Sequence, residues 1–307
     1  MRRVLPLLIL TLSWTLPGAV CINEYGKNIH GYQIDTNEQE RQPSRLILEL
    51  TQHPEHDAIR KSDLGPEPPP EADFKLRNDY AAKLIRQGKT KRAIEMLESI
   101  EKEHPGEYIV AANLGTAYEL DGDVERALRW ISEGYKRNPD SHLATEWLHI
   151  RILEVKRELA KDPAWLDAHS VLDFDFGKDA LPVFPAVWGK KGEEAVVSAL
   201  RYQLHERLAF VSPPDPIVGE LLGVYADYSA VKWPVDYAIP LYDLALSLKP
   251  AHSDLLEKRR AKAASQLPSI FDDIPIEGVG IIAVILLIGA LFALKFRRYN
   301  SASTPRM

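Results

Sequence analysis

The chain has 307 residues, 45% of them hydrophobic and 27% charged, with a formal net charge of −6. That is enough for one or two domains with real cores, and composition alone assigns no activity. Setting aside the basic residues Arg2, Arg3, Lys295, Arg297, Arg298 and Arg306, which lie in or beside two apolar runs, leaves 32 of the 38 Lys and Arg against 44 acidic residues, a balance of −12. Such a balance excludes nucleic acid and an anionic membrane surface as favoured partners.

The chain opens MRRVLPLLILTLSWTLPGAVC: Arg2 and Arg3, an apolar stretch from Val4 to about Leu16, then small residues. This predicts a secretory signal peptide over 1–21. Cleavage after Ala19 and cleavage after Cys21 both fit, and so does Cys21 as a lipidated cysteine, although Val20 departs from that signal. Cys21 is the single cysteine and the sequence contains no Asn-x-Ser/Thr acceptor. The exported part can therefore form no internal disulfide, and a bacterial periplasm is the expected compartment.

Residues 22–73 read as a polar N-terminal segment, with one short helix over Leu46 to Ile59 and a Pro-rich linker, GPEPPPEAD, from Gly65 to Asp73. From Phe74 the pattern changes. GKTKRAIEMLESIEKEHP, Gly88 to Pro105, is matched 34 positions later by GDVERALRWISEGYKRNP, Gly122 to Pro139. A fixed interval of this kind is an internal repeat. Each unit predicts two antiparallel helices that meet at a glycine turn and stop at a proline, with Ala81/Gly115 and Ala93/Ala127 where the helices must approach and Leu84/Tyr118 and Leu97/Ile131 filling between them.

The pattern resembles the tetratricopeptide repeat family. Its order of large, small, aromatic, turn glycine, small, aromatic and proline is carried by Leu114, Gly115, Tyr118, Gly122, Ala127, Ile131 and Pro139, and in the first unit by Tyr80, Ala81, Leu84, Gly88, Ala93, Leu97 and Pro105. Gly134 stands where the family usually has alanine. The resemblance implies an all-α solenoid of antiparallel helix pairs, with two units over 74–139. It also implies a concave face, made by the first helix of each pair, that binds protein or peptide partners. On this chain that face comprises Asn78, Ala82 and Arg86, then Asn113, Thr116 and Glu119. Only Asn113 fits the pattern by which family members grip a terminal carboxylate.

After Pro139 the repeat is interrupted. Residues 140–216 read as an insert: one long helix directly after Pro139, over DSHLATEWLHIRILEVKRELAKDP (Asp140 to Pro163), an aromatic, proline-broken stretch from Ala164 to Gly189, and a helix over about Lys191 to Phe210. A degenerate third unit over 217–267 has Tyr225, Ala226, Ala238, Tyr242 and Ala245 at matching positions, Trp233 in place of the turn glycine, and a closing helix from Ser253. Finally, GVGIIAVILLIGALFAL, Gly278 to Leu294, runs without a charge and is followed by Lys295, Arg297 and Arg298. At 1.5 Å per residue it is about 26 Å long, so a transmembrane helix over 278–296 is expected, with a short basic tail over 297–307 left inside.

No nucleotide, hydrolase or zinc signature occurs, and neither a cofactor nor a metal is expected. His53 and His56 have a spacing that could ligate metal, but Pro54 breaks the helix that would orient them, which favours solvated loop residues. His169, Asp173 and Asp175 offer acid and base groups among Trp165, Leu172, Phe174 and Phe176, and the same alternation describes a short edge strand. Three readings follow. The leading one is a membrane-tethered, non-catalytic scaffold or adaptor; the alternatives are an exported enzyme using the 164–189 stretch, and a cell-wall or sugar-binding module using exposed aromatic rings.

Overall fold

The structure is a computed structural model that describes residues 25–35 and 43–267. The apolar runs at both ends, Cys21, the 278–296 span and the 297–307 tail lie outside the described residues, and with them the expectations of export and anchoring. Among the described residues no helix is long and apolar enough to cross a membrane.

The repeat forms as its residues require. Helices α3 (Phe74–Arg86) and α4 (Thr90–Glu103) pair, as do α5 (Tyr108–Asp121) and α6 (Val124–Arg137), and α4 leans on α5. Gly88 and Gly122 take the left-handed conformation, with φ of 73° and 89°. Each allows the next amide to fold back on the end of the first helix: Lys89 N–H donates to the Leu84 carbonyl and Asp123 N–H to that of Tyr118, both at 2.9 Å. Asp73 and Asp123 cap the following helices by accepting from Lys75 and Arg126 N–H. The departure at Gly134 has a steric cause, since a Cβ there would lie 3.3 Å from the Ala112 amide nitrogen on the facing helix.

The third unit is present as α11 (Pro216–Lys232) and α12 (Val235–Ser247), closed by α13 (Ser253–Ala264). Its turn differs as expected: Trp233 is extended, with φ −124° and ψ 170°, and Pro234 leads into α12. Tyr225, Ala226, Ala238, Tyr242 and Ala245 are all buried.

Three expectations are corrected. The polar lead-in contains an antiparallel hairpin, β1 (Tyr25–Lys27) with β2 (Gln33–Asp35), stitched to α11 by Ile29 N–H to the Ala230 carbonyl and Asn28 Nδ2 to the Val231 carbonyl, each 2.9 Å. The single short helix over 46–59 is two, α1 (Pro43–Thr51) and α2 (Pro54–Lys61), because Pro54 cannot continue the first but suits the opening of the second. The long helix after Pro139 is broken into α7 (Ser141–Ala144) and α8 (Glu146–Lys161), with His142, Leu143 and Ala144 all left-handed at φ 50°, 58° and 59°. That conformation costs about 1–2 kcal/mol per residue, and the three residues are exposed, so the buried flanks Ser141 and Thr145 must hold it.

Helix α8 separates two cores. It sends Leu153 into the one built by α3–α6, and Leu148, Ile152 and Val155 into the larger one under the insert, α10 (Glu193–Leu208) and α11–α13. The aromatic stretch over 164–189 has one short helix, α9 (Trp165–Ala168), and no strand, yet Leu172 and Phe176 are buried and Asp173 and Asp175 exposed. Phe174, Phe176, Phe184 and Tyr228 surround Trp188 with ring centroids 5.1–5.7 Å from it. Arg259, from α13, reaches across to the insert, its Nε donating to the Asp179 carbonyl at 3.0 Å and its guanidinium also meeting the Phe176 and Gly177 carbonyls and the buried Asp227 carboxylate.

Candidate functional site

The face offered by the first helices of the two pairs, α3 and α5, is not an open surface. Helices α2 and α10 lie across it and leave a cleft of two joined cavities. The first, 420 Å³, is lined by Ala82 and Arg86 of α3 and by Asn113 and Thr116 of α5, against His53 and His56 on one side and His205, Glu206 and Phe210 on the other. The second, 360 Å³, continues past Thr116 to Glu119, Glu146, His149, Tyr202 and Arg207. Thr116, His142, Glu206 and Phe210 border both. These volumes suit a peptide segment of a few residues. A wider groove of 930 Å³ on another face of α10 includes none of the six expected partner residues.

The inner cavity is dominated by a charge network. The Glu119 side chain is 6% exposed and accepts from Arg207 Nη1 at 2.7 Å and Lys156 Nζ at 2.6 Å, while its other oxygen lies 2.6 Å from His149 Nε2. Burial opposes ionisation, but the cations around it hold this carboxyl well below the usual carboxylate range. Glu146 sits between His142 and His149, 2.5 Å from His142 Nδ1. Burial again opposes ionisation, and the two imidazoles overcome it, leaving Glu146 at about 2. The same contact raises His142. The strained turn at 142–144 thus has a visible result: it places His142 over Glu146 and against the Tyr202 ring, 5.7 Å between centroids.

The outer cavity is different in kind. Arg86 is half-buried and Glu206 exposed, and neither makes a hydrogen bond or ion pair among the described residues. The wall provided by α2 and α10 is built of rings: His53 packs on His205 at 4.6 Å and His56 on Phe210 at 4.6 Å. Burial, with positively charged neighbours, lowers both His53 and His56.

Of the expected partner residues, five are therefore brought to one cleft. Asn78 is not among them: it is 2% exposed, and its Oδ1 accepts from Asn113 Nδ2 at 3.0 Å. Glu119 lines the cleft with its charge already met from within. His53 and His56, expected in a solvated loop, are instead part of the wall, with His56 buried. His169 stacks on Trp165 at 4.3 Å and contacts its carbonyl, Asp175 accepts from Gly177 N–H, and His169, Asp173 and Asp175 line neither cavity. Among the described residues no group of three or more His, Cys, Asp or Glu side chains is placed to hold a metal ion. The far wall, from Tyr202 to Phe210, carried no sequence signal beyond its helical periodicity.

Helix pairs in 34-residue register that meet at glycine turns are the marks of a helical repeat protein. Residues 84–145 match the tetratricopeptide repeat family, which supports membership of that family and suggests a protein-interaction scaffold. Tetratricopeptide domains are typically non-catalytic and generally bind protein partners. No curated protein matches the chain.

Proposed function

We propose that this is a membrane-tethered, non-catalytic adaptor that receives a segment of a partner protein in the cleft between α5 and α10, on the exported side of a bacterial inner membrane. Tethering rests on the sequence, through the N-terminal apolar stretch and the Gly278 to Leu294 run with its basic flank. The observation that carries the binding reading is the outer cavity. There Ala82, Asn113 and Thr116 form a neutral floor beside one half-buried cation, Arg86, and two exposed anions, Glu55 and Glu206, each without an ionic partner among the described residues. Amide and hydroxyl groups on that floor satisfy an extended backbone whatever its side chains, and the charges of Arg86, Glu55 and Glu206 select for a segment bearing opposite charges in matching order.

Tethering confines a modest binder near other membrane proteins and raises its effective concentration there without any added contact. The test is co-purification with the full-length chain. Arg86→Glu and Thr116→Trp, which invert the charge and fill the floor, abolish partner recovery, whereas Lys91→Glu, at an exposed site on α4, leaves it unchanged. Equal recovery from all four proteins refutes the cleft assignment.

A further inference from the structure

We propose that α2 is a displaceable strap occupying part of the partner's seat, and that protonation of His53 and His56 releases it. This deepens the adaptor reading and depends on it for its biological meaning, though not for its test. Helix α2 has eight residues and buries only one of them, His56. At its N-terminal end its hold on the rest of the protein is one imidazole edge-on to Phe210, interplanar angle 75°, with His53 tilted on His205 beside it.

The Nε2 atoms of both His53 and His56 are buried without a hydrogen-bond partner. A neutral ring tolerates this, because one of its nitrogens is only an acceptor. An imidazolium carries a proton on each nitrogen, and a buried, unpaired N–H on a charged ring costs far more than an unpaired acceptor.

The surroundings do not rescue the charge. His56 is faced by Arg86 from α3 and by Arg60 on its own helix, against Asp57 and Glu206. His53 is faced by His205 and His56, against Glu206 and Asp57. His205 Nδ1 donates to the Glu49 carbonyl at 2.6 Å, since a carbonyl only accepts. Glu55 and His142 complete the ionisable lining. Burial lowers His53 and His56 relative to 6.5, so the docking they provide is fully present above that value and is lost as pH falls through their folded pKa values.

The far end of the strap does not titrate. Gln87 Nε2 donates to the Ile59 and Ser62 carbonyls at 3.0 and 2.8 Å, and the following residues are held by Tyr80 Oη to the Gly65 carbonyl and Arg77 to the Pro70 carbonyl. Acid thus frees the His53 end while the Ser62 end stays pinned, so α2 swings away and uncovers Ala82, Arg86, Asn113 and Thr116.

Hydrogen exchange on the full-length chain in mild detergent, at pH 7.5 and 5.5 and corrected for intrinsic rates, reads this directly. Protection of residues 54–61 falls at least tenfold at pH 5.5 while that of α4 is retained. His53→Gln/His56→Phe holds the strap protected at both values, and His56→Phe alone shows most of that effect. Unchanged protection of wild-type α2, or a double variant that responds as wild type does, overturns the proposal. The readout needs no partner: release without any gain in partner recovery refutes the cleft reading and leaves the strap standing.

Discussion

Replacing Arg259 by methionine strips the clamp between the closing helix and the insert. Arg259 is 2% exposed, and its guanidinium serves the Asp227 carboxylate and the carbonyls of Phe176, Gly177 and Asp179, while Tyr242 Oη donates to Asp227 at 2.7 Å. Methionine fills most of the volume, so the loss is electrostatic. Removing one member of a buried ion pair costs about 3–5 kcal/mol, because the other is stranded. Here the stranded group has an escape: burial already pushes Asp227 up to about 6 with Arg259 in place, and without it the carboxyl takes up a proton more readily still. The destabilisation is therefore larger at pH 8, about 4 kcal/mol, than at pH 5.5, where the protonated acid leaves mainly the unmet carbonyls at about 1 kcal/mol each. Urea unfolding of the full-length chain, followed by tryptophan fluorescence, measures both values. Adding Asp227→Leu recovers about half of the loss at pH 8. A single variant that costs less than about 1 kcal/mol at pH 8, or a double variant as unstable as the sum of the two singles, refutes the argument.

Glu119→Gln leaves Arg207 and Lys156 without their anion and lowers unfolding free energy by about 3 kcal/mol in the same assay. Gly122→Ala forces a Cβ into φ 89° with no neighbour within 4 Å, so it costs about 1 kcal/mol of backbone strain and lowers Tm by about 3 °C, measured by thermal melt. The His142–Glu146 contact gives an opposite pH response to the strap. Its raised histidine contributes below 6.5 and loses that contribution as pH rises, while its depressed glutamate contributes above 4.5 and fails as pH falls towards 2. His142→Gln therefore removes stability chiefly between about pH 4.5 and 6.5, as urea midpoints across that range show.

What the sequence disclosed and what it hid follow from the range of the forces involved. Gly88 and Gly122 were legible because a left-handed turn is written in one residue, and Ala93 and Ala127 because close helix approach is written in small side chains at a fixed interval. The break at 142–144 was not, since nothing in His-Leu-Ala asks for left-handed backbone; the three residues are exposed, and the turn is fixed by its buried flanks, Ser141 and Thr145, the latter bonded to Gln203 of α10. Glu119 reads as a solvated groove charge, because the residues that bury it, Arg207 and Lys156, come from helices outside the repeat. His56 similarly owes its burial to Phe210, and the hairpin its anchoring to α11. Local geometry was readable; partners distant along the chain were not.

The position of α8 sets a limit on how such an array can change. An ordinary solenoid lengthens by copying a unit, since each helix pair offers its successor the same face it met. Here the pair ending at Pro139 is followed by a wedge whose two sides are already spoken for, one by Leu153 and the other by Leu148, Ile152 and Val155. A duplicated unit inserted at that junction would cut one half of the protein from the other. The repeat number is thus frozen where α8 enters, and variation is left to the rim of the cleft.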